Sequence, residues 1–163
     1  MRKAWQLSYN GVRTMLNVNT EAATAHNAAH LDHVHHEIEL IVKINKVGKY
    51  IEPKFAHKYY DEISVGIDFT ARDLQDQLKA KGLPWEKAKA FDHSAVIGAF
   101  LPKKELHSME NINFELLSNG QSVQKGNTEL MLWNIDALVA YVSQFFTLKK
   151  GDIIDLDTVV PLR

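Results

Sequence analysis

Apolar and polar positions alternate from residue 37 to 44: Ile38, Leu40, Val42 and Ile44 interleave with Glu37, Glu39 and Lys43. A period of two sends the two sets to opposite faces of an extended chain, so this segment reads as a β-strand with two different sides. A second strand reads through Ile63, Val65, Ile67 and Phe69. Thr70, with Asp73 three positions on, predicts the capped start of a helix running to about Lys81, stopped by Gly82 and Pro84. Another strand is expected around Ala95 to Leu101. Asn113 to Gln124 predicts a hairpin turning at Asn119-Gly120, a pair suited to the positive φ angles of a type I′ turn. Ile135, Leu138, Val139, Val142 and Phe145 share one face of a helix expected from Ile135 to Phe146. Lys149 to Asp152 turn the chain into a last strand, Ile153 to Val160. Residues 1 to 31 are the least patterned, with a short helix expected at Thr20 to Leu31. With no repeat, low-complexity tract or linker, the expectation is one domain over residues 1 to 163, of class α+β with a mainly antiparallel, β-rich core.

Composition narrows the chemistry. A chain of 163 residues can bury about two thirds of its unfolded surface, enough for a real core. Its net charge of -1 gives no broad electrostatic argument for nucleic acid or an anionic membrane. Lys43, Lys46, Lys49, Lys54 and Lys58 cluster and read as a solvated, Lys-rich surface loop. The absence of cysteine excludes disulfides, thiolate zinc sites and a cysteine nucleophile. The first ten residues lack the apolar run of a secretory signal, and no later stretch approaches the ~18 apolar residues of a membrane span, so a cytoplasmic protein is expected.

The residues that remain to carry chemistry are carboxylates, lysines, histidines and hydroxyls. Glu37 and Glu39 leave the same strand face about 7 Å apart along the backbone, close enough to converge on one hard cation. A Glu-x-Glu pair is, by itself, more commonly the wet face of a half-exposed strand. Asp68 adds weight, because it closes an apolar strand just before a helix N-terminus, although helix capping accounts for an aspartate there equally well. His33, His35 and His36 look like a metal cluster, yet on a strand His35 points with Glu37 and His36 with Ile38, so they cannot all face one site. Opportunistic binding of transition metals suits that tract better than a zinc enzyme's matched ligand set.

Four segments occur in the order and approximate spacing of one known family. They are His35 to Leu40 (HHEIEL), Gly66 to Gln75 (GIDFTARDLQ), Lys81 to Asp92 (KGLPWEKAKAFD) and Val123 to Thr128 (VQKGNT). Across them the chain resembles the fumarylacetoacetate hydrolase family, especially its small acylpyruvase and oxaloacetate decarboxylase members. The resemblance implies a β-rich mixed sheet roll of that family's C-terminal-domain type, shortened. It implies a Mg2+ or Mn2+ site at Glu37, Glu39 and Asp68, substrate contacts from Arg72, Gln75 and Thr128, and a catalytic lysine at Lys89 that polarises the substrate or holds its charge. Without it, Lys89 would read as a surface lysine and Thr128 as a helix N-terminal signal. The implied activity is metal-dependent cleavage of a carbon-carbon bond in a small 2-oxo acid through an enolate, by acylpyruvate hydrolysis or oxaloacetate decarboxylation.

Two family features are not found in the sequence. The histidine and glutamate that activate the hydrolytic water have no counterpart in residues 1 to 34, and after Ile154 the family's threonine-glycine-threonine-proline turn is replaced by Asp155-Leu156-Asp157-Thr158. Loss of the first pair predicts that decarboxylation, which needs no water nucleophile, survives better than hydrolysis. Loss of the second predicts exposed strand edges that a partner chain covers, hence a homodimer. The alternative is a non-catalytic, shortened or redesigned scaffold that binds metal or a partner.

Overall fold

The computed structural model describes residues 5–9, 12–16 and 34–157. The helix expected at Thr20 to Leu31, the histidine at 33 and the end of the last strand lie outside them. The elements are β1 (Trp5–Tyr9), β2 (Val12–Leu16), β3 (Val34–Ile44), α1 (Pro53–Ala56), β4 (Tyr60–Ala71), α2 (Arg72–Ala80), β5 (Ala95–Ile97), β6 (Leu101–Pro102), β7 (Asn113–Ser118), β8 (Gln121–Asn127), α3 (Ile135–Phe145) and β9 (Ile153–Leu156). They form two antiparallel sheets, β2-β1-β7-β8 and β5-β4-β3-β9, with β6 pairing on β4. This is the expected mixture of helices with a β-rich, antiparallel core.

The alternation in β3 does what its period requires. Ile38, Leu40, Val42 and Ile44 are buried in one cluster with Phe114 and Leu116 of β7, so the two sheets meet over this face. Each fully buried Ile or Leu side chain contributes roughly 1.5–3 kcal/mol by leaving water. The odd positions face away from the second sheet, and two carboxylates stand among them.

The β3–β4 ladder runs without interruption from the Val34–Ala71 pair to Lys43–Glu62, and the register shifts only before Ile44–Tyr60. It sets Glu37 directly opposite Asp68, and Glu39 opposite Gly66. Gly66 leaves room for its neighbours: a Cβ there would lie 2.4 Å from the Ile41 Cδ1 and 2.5 Å from the Val96 carbonyl oxygen.

Several expectations shift in detail. Thr70 does not cap α2. It is the penultimate residue of β4, fully buried, and Ala71 occupies the cap position without a side-chain bond. The strand simply continues two residues further than the capping signal suggested. The strand expected at Ala95 to Leu101 is two short pieces, separated by residues 98–100, although the Gly98 N–H still donates to the Val65 carbonyl at 3.0 Å. The hairpin turns as expected, with φ of 52° at Asn119 and 81° at Gly120. The lysine cluster is not a plain loop. Lys43 lies on β3 and pairs with Glu62 at 2.6 Å, while Lys46, Lys49, Lys54 and Lys58 each lie over an aromatic ring.

α3 starts at Asn134, whose Oδ1 accepts from the Ala137 N–H at 2.8 Å. On its buried side the Ser143 hydroxyl accepts from the Ile51 N–H at 2.9 Å and donates to the Ala140 carbonyl at 2.7 Å.

Candidate metal centre

Cross-strand pairing builds the centre. Glu37 and Asp68 are a facing pair and Glu39 is two residues along on the same face, so three carboxylates project from adjacent positions of two strands. One oxygen of each lies within 4.8 Å of the others. Among the described residues this trio is the group of acidic and histidine side chains that could hold a metal ion, and no histidine joins it. His35 is exposed and its Nδ1 lies 3.4 Å from the Arg72 Nε, which fits its expected direction alongside Glu37.

Two cations close the edges. Arg72, the first residue of α2, donates from Nη2 to Glu37 Oε1 at 2.6 Å and from Nη1 to Gln75 Oε1 at 2.6 Å. Gln75 is buried, so its amide oxygen is a fixed acceptor that holds the guanidinium in place. Lys89 follows the 3-10 turn Glu86–Ala88, and its ammonium group donates to Glu37 Oε2 at 3.0 Å and to Asp68 Oδ2. It is mostly covered, not a free surface lysine.

The electrostatics are uneven. Burial would raise Glu37, but the ammonium of Lys89 and then the guanidinium of Arg72 outweigh it and hold the carboxyl below its ordinary value. Burial keeps Asp68 raised, because its bond to Lys89 offsets only part of the cost. Glu39 is pushed up to about 8, first by burial and then by the charges of Asp68, Asp155 and Asp157. Glu39 has no ion-pair partner among the described residues. Lys89 is raised overall, since Asp68 and Glu37 outweigh its burial.

This donor set fits a hard divalent ion. Carboxylate oxygens are the ligands such an ion takes, and one from each of the three side chains already converges within 4.8 Å of the others. Glu39, raised and unpaired, is the group that gains most from such a charge. The three carboxylates would hold the ion, while Arg72 and Lys89 remain beside it as anion partners.

Thr128 is elsewhere. Gln124, Gly126 and Thr128 are the buried positions of β8 and the turn after it, on the side of β3 away from Glu37. The Thr128 hydroxyl accepts from the Ile112 N–H at 2.9 Å, and the residue lines a cavity of about 350 Å³ with Tyr60, Asn134 and Asp136. Tyr60 stands eight positions before Asp68 on β4, roughly 26 Å away at 3.3 Å per residue. The structure therefore gathers Glu37, Glu39, Asp68, Arg72, Gln75 and Lys89, and leaves Thr128 out.

Asp155 and Asp157 were missed as neighbours of the centre. Asp155 pairs across from Ile41, two residues beyond Glu39 on the same face, and its carboxyl is raised by partial burial and by Asp68. The signal was present in the alternation Asp155-Leu156-Asp157, in which Leu156 alone is buried.

A family model, fumarylacetoacetate hydrolase C-terminal, matches residues 5–159. The chain belongs to the fumarylacetoacetate hydrolase family. Among family relatives it is 39% identical over 126 residues to a mitochondrial oxaloacetate tautomerase of Bos taurus (FAHD1), covering 77% of this chain and 57% of that protein. It is 38% identical over 121 residues to a mitochondrial oxaloacetate decarboxylase of Dictyostelium discoideum, covering 74% and 56%. The family fold is the one described above. It superposes with a TM-score of 0.73 on a fumarylpyruvate hydrolase of Pseudomonas aeruginosa solved with Mn2+ and pyruvate, at 34% identity over 78% of this chain and 55% of that one. The chain thus spans little more than half the length of these family members.

Proposed function

We propose that this chain is a divalent-metal-dependent enzyme, one domain over residues 1 to 163, that cleaves a carbon-carbon bond in small 2-oxo acids, with oxaloacetate decarboxylation ahead of acylpyruvate hydrolysis. One observation carries the reading: three carboxylate oxygens lie within 4.8 Å of one another with two cations bonded at their rim. The names of the relatives, an oxaloacetate tautomerase and an oxaloacetate decarboxylase, support the substrate class. The Mn2+ in the Pseudomonas relative supports the metal, with Mg2+ the alternative.

When bound, the ion supplies a Lewis acid that polarises the 2-oxo group and favours the enolate left when the neighbouring bond breaks. The chain's own residues do the rest. Glu37, Glu39 and Asp68 would hold the ion in place. The ammonium of Lys89 is placed to hold an anionic oxygen or move a proton at Nζ, and Arg72, held by Gln75, offers N–H donors to a carboxylate. Thr128, beside Tyr60 and far from the three carboxylates, makes no contact with a small substrate in this reading. On the same reading the protein works in the cytoplasm as a homodimer, and the exposure of Leu132, Trp133, Phe145 and Phe146 favours the second point.

The test is consumption of oxaloacetate and of acetylpyruvate by Mn2+-loaded protein, each corrected for Mn2+ alone. The expected result is faster pyruvate release from oxaloacetate, abolished by Glu37→Gln. Faster hydrolysis of acetylpyruvate would reverse the ordering. No turnover by a protein that demonstrably binds Mn2+ would leave a non-catalytic scaffold instead.

A further inference from the structure

Gln124 is a buried amide placed between two apolar sheet faces. It is 5% exposed, on β8, opposite Leu116 of β7 and bonded to Ile38 of β3. A buried amide costs roughly 1–3 kcal/mol unless it is bonded, so its presence calls for a use.

Its Oε1 accepts from the backbone N–H of Ile38 at 2.8 Å, across 86 residues of sequence. Ile38 is the residue between Glu37 and Glu39. Among the described residues, pairing of β9 on β3 covers Leu40 to Lys43 and does not extend to Ile38. The Gln124 amide continues it by one bond, from a strand of the other sheet, at the position that separates the two glutamates. Its Nε2 is buried without a partner among the described residues, so an apolar side chain of similar size would spare a desolvated donor. The Ile38 bond is the evident gain that keeps an amide there.

We infer that Gln124 is a positioning residue for the metal centre, fixing the backbone of β3 so that Glu37 and Glu39 present their oxygens to one ion. The inference rests on the metal-site reading given above. Gln124 touches neither ion nor substrate; it acts through Ile38.

The test compares Mn2+ affinity, by electron paramagnetic resonance titration, in the full chain and in Gln124→Met, Gln124→Asn and Phe114→Leu. Gln124→Met removes the acceptor at nearly constant volume, and Gln124→Asn draws it back by one methylene and serves if the first variant does not fold. Phe114→Leu loosens the same inter-sheet packing and leaves the Gln124 acceptor of the Ile38 N–H in place. Both Gln124 variants are expected to bind Mn2+ about 10- to 100-fold more weakly, the range for groups that orient metal ligands. Phe114→Leu is expected to lower the melting temperature and keep the affinity. Equal affinities in wild type and the Gln124 variants, or an equal loss in Phe114→Leu, would overturn the positioning role. A wild-type chain that binds no Mn2+ would overturn the metal reading first, and the inference with it.

Discussion

Glu37 and Asp68 face each other directly across the β3–β4 ladder, and the single ammonium group of Lys89 is bonded to both. In the free protein that lysine supplies the positive charge which two adjacent carboxylates require.

Divalent metal should therefore stabilise the fold. Mn2+ at 100 times its Kd adds about 2.7 kcal/mol to the unfolding free energy, a rise of several degrees in Tm. Glu37→Gln or Asp68→Asn should remove that rise in a melting series with EDTA, Mg2+ and Mn2+. A Tm that ignores metal would put the three carboxylates on the wet face of an ordinary strand.

Stability of the metal-free chain should fall with rising pH. Glu39 is held up to about 8 in the fold against an ordinary 4.5. Between these values the folded state binds the proton that the unfolded chain releases, so each step upward in pH favours unfolding. Denaturant melts at pH 5.5 and 8.5 in EDTA should show the lower midpoint at pH 8.5. Glu39→Gln should flatten the difference, and an unchanged slope in that variant would assign the effect to other groups.

Lys89→Met should split binding from turnover. Removing a cation beside Glu37 and Asp68 leaves the trio more negative, so Mn2+ should bind more tightly. Turnover should drop by about 10²-fold or more, the usual scale for losing one charge-stabilising donor. Parallel titration and rate measurements on one preparation read both effects, and a variant that keeps wild-type turnover would remove Lys89 from the chemistry.

Gly66→Ala should be costly despite its small size. The added methyl group meets the Ile41 side chain and the Val96 carbonyl at 2.4 and 2.5 Å, contacts that must shift for it to fit. Overpacking of this kind costs about 1–3 kcal/mol. Thermal melts measure it directly, and a neutral substitution would mean that β5 moves freely away from β4.

Strong local patterning was legible in the sequence. The two faces of β3, the Asn119-Gly120 turn and α3 follow from periodicity and turn chemistry, which act over a few residues. Two kinds of feature were not. Thr70 and Asp73 spell a capping box, yet pairing with β3 draws Thr70 into the ladder opposite His35, so tertiary pairing overrode a local signal. The position of Thr128, and the bond from Gln124 to Ile38, depend on how one sheet lies over the other, which no spacing along the chain encodes. The acidic trio lies between these cases. Glu37 and Glu39 were readable as a pair, but Asp68 joins them through a strand register fixed by the whole length of the ladder.

That ladder also decides which changes the chain can survive. Substitution in β3 alters one side chain at a time, whereas deleting a single residue at Leu40 or Ile41 would turn everything before it half a revolution. Glu37 and Glu39 would then be driven into the oily seam beside Phe114 and Leu116, and Ile38 would take their place under Arg72. A substitution in the strand is felt at its own position, whereas a change in the strand's length is felt at every position before it.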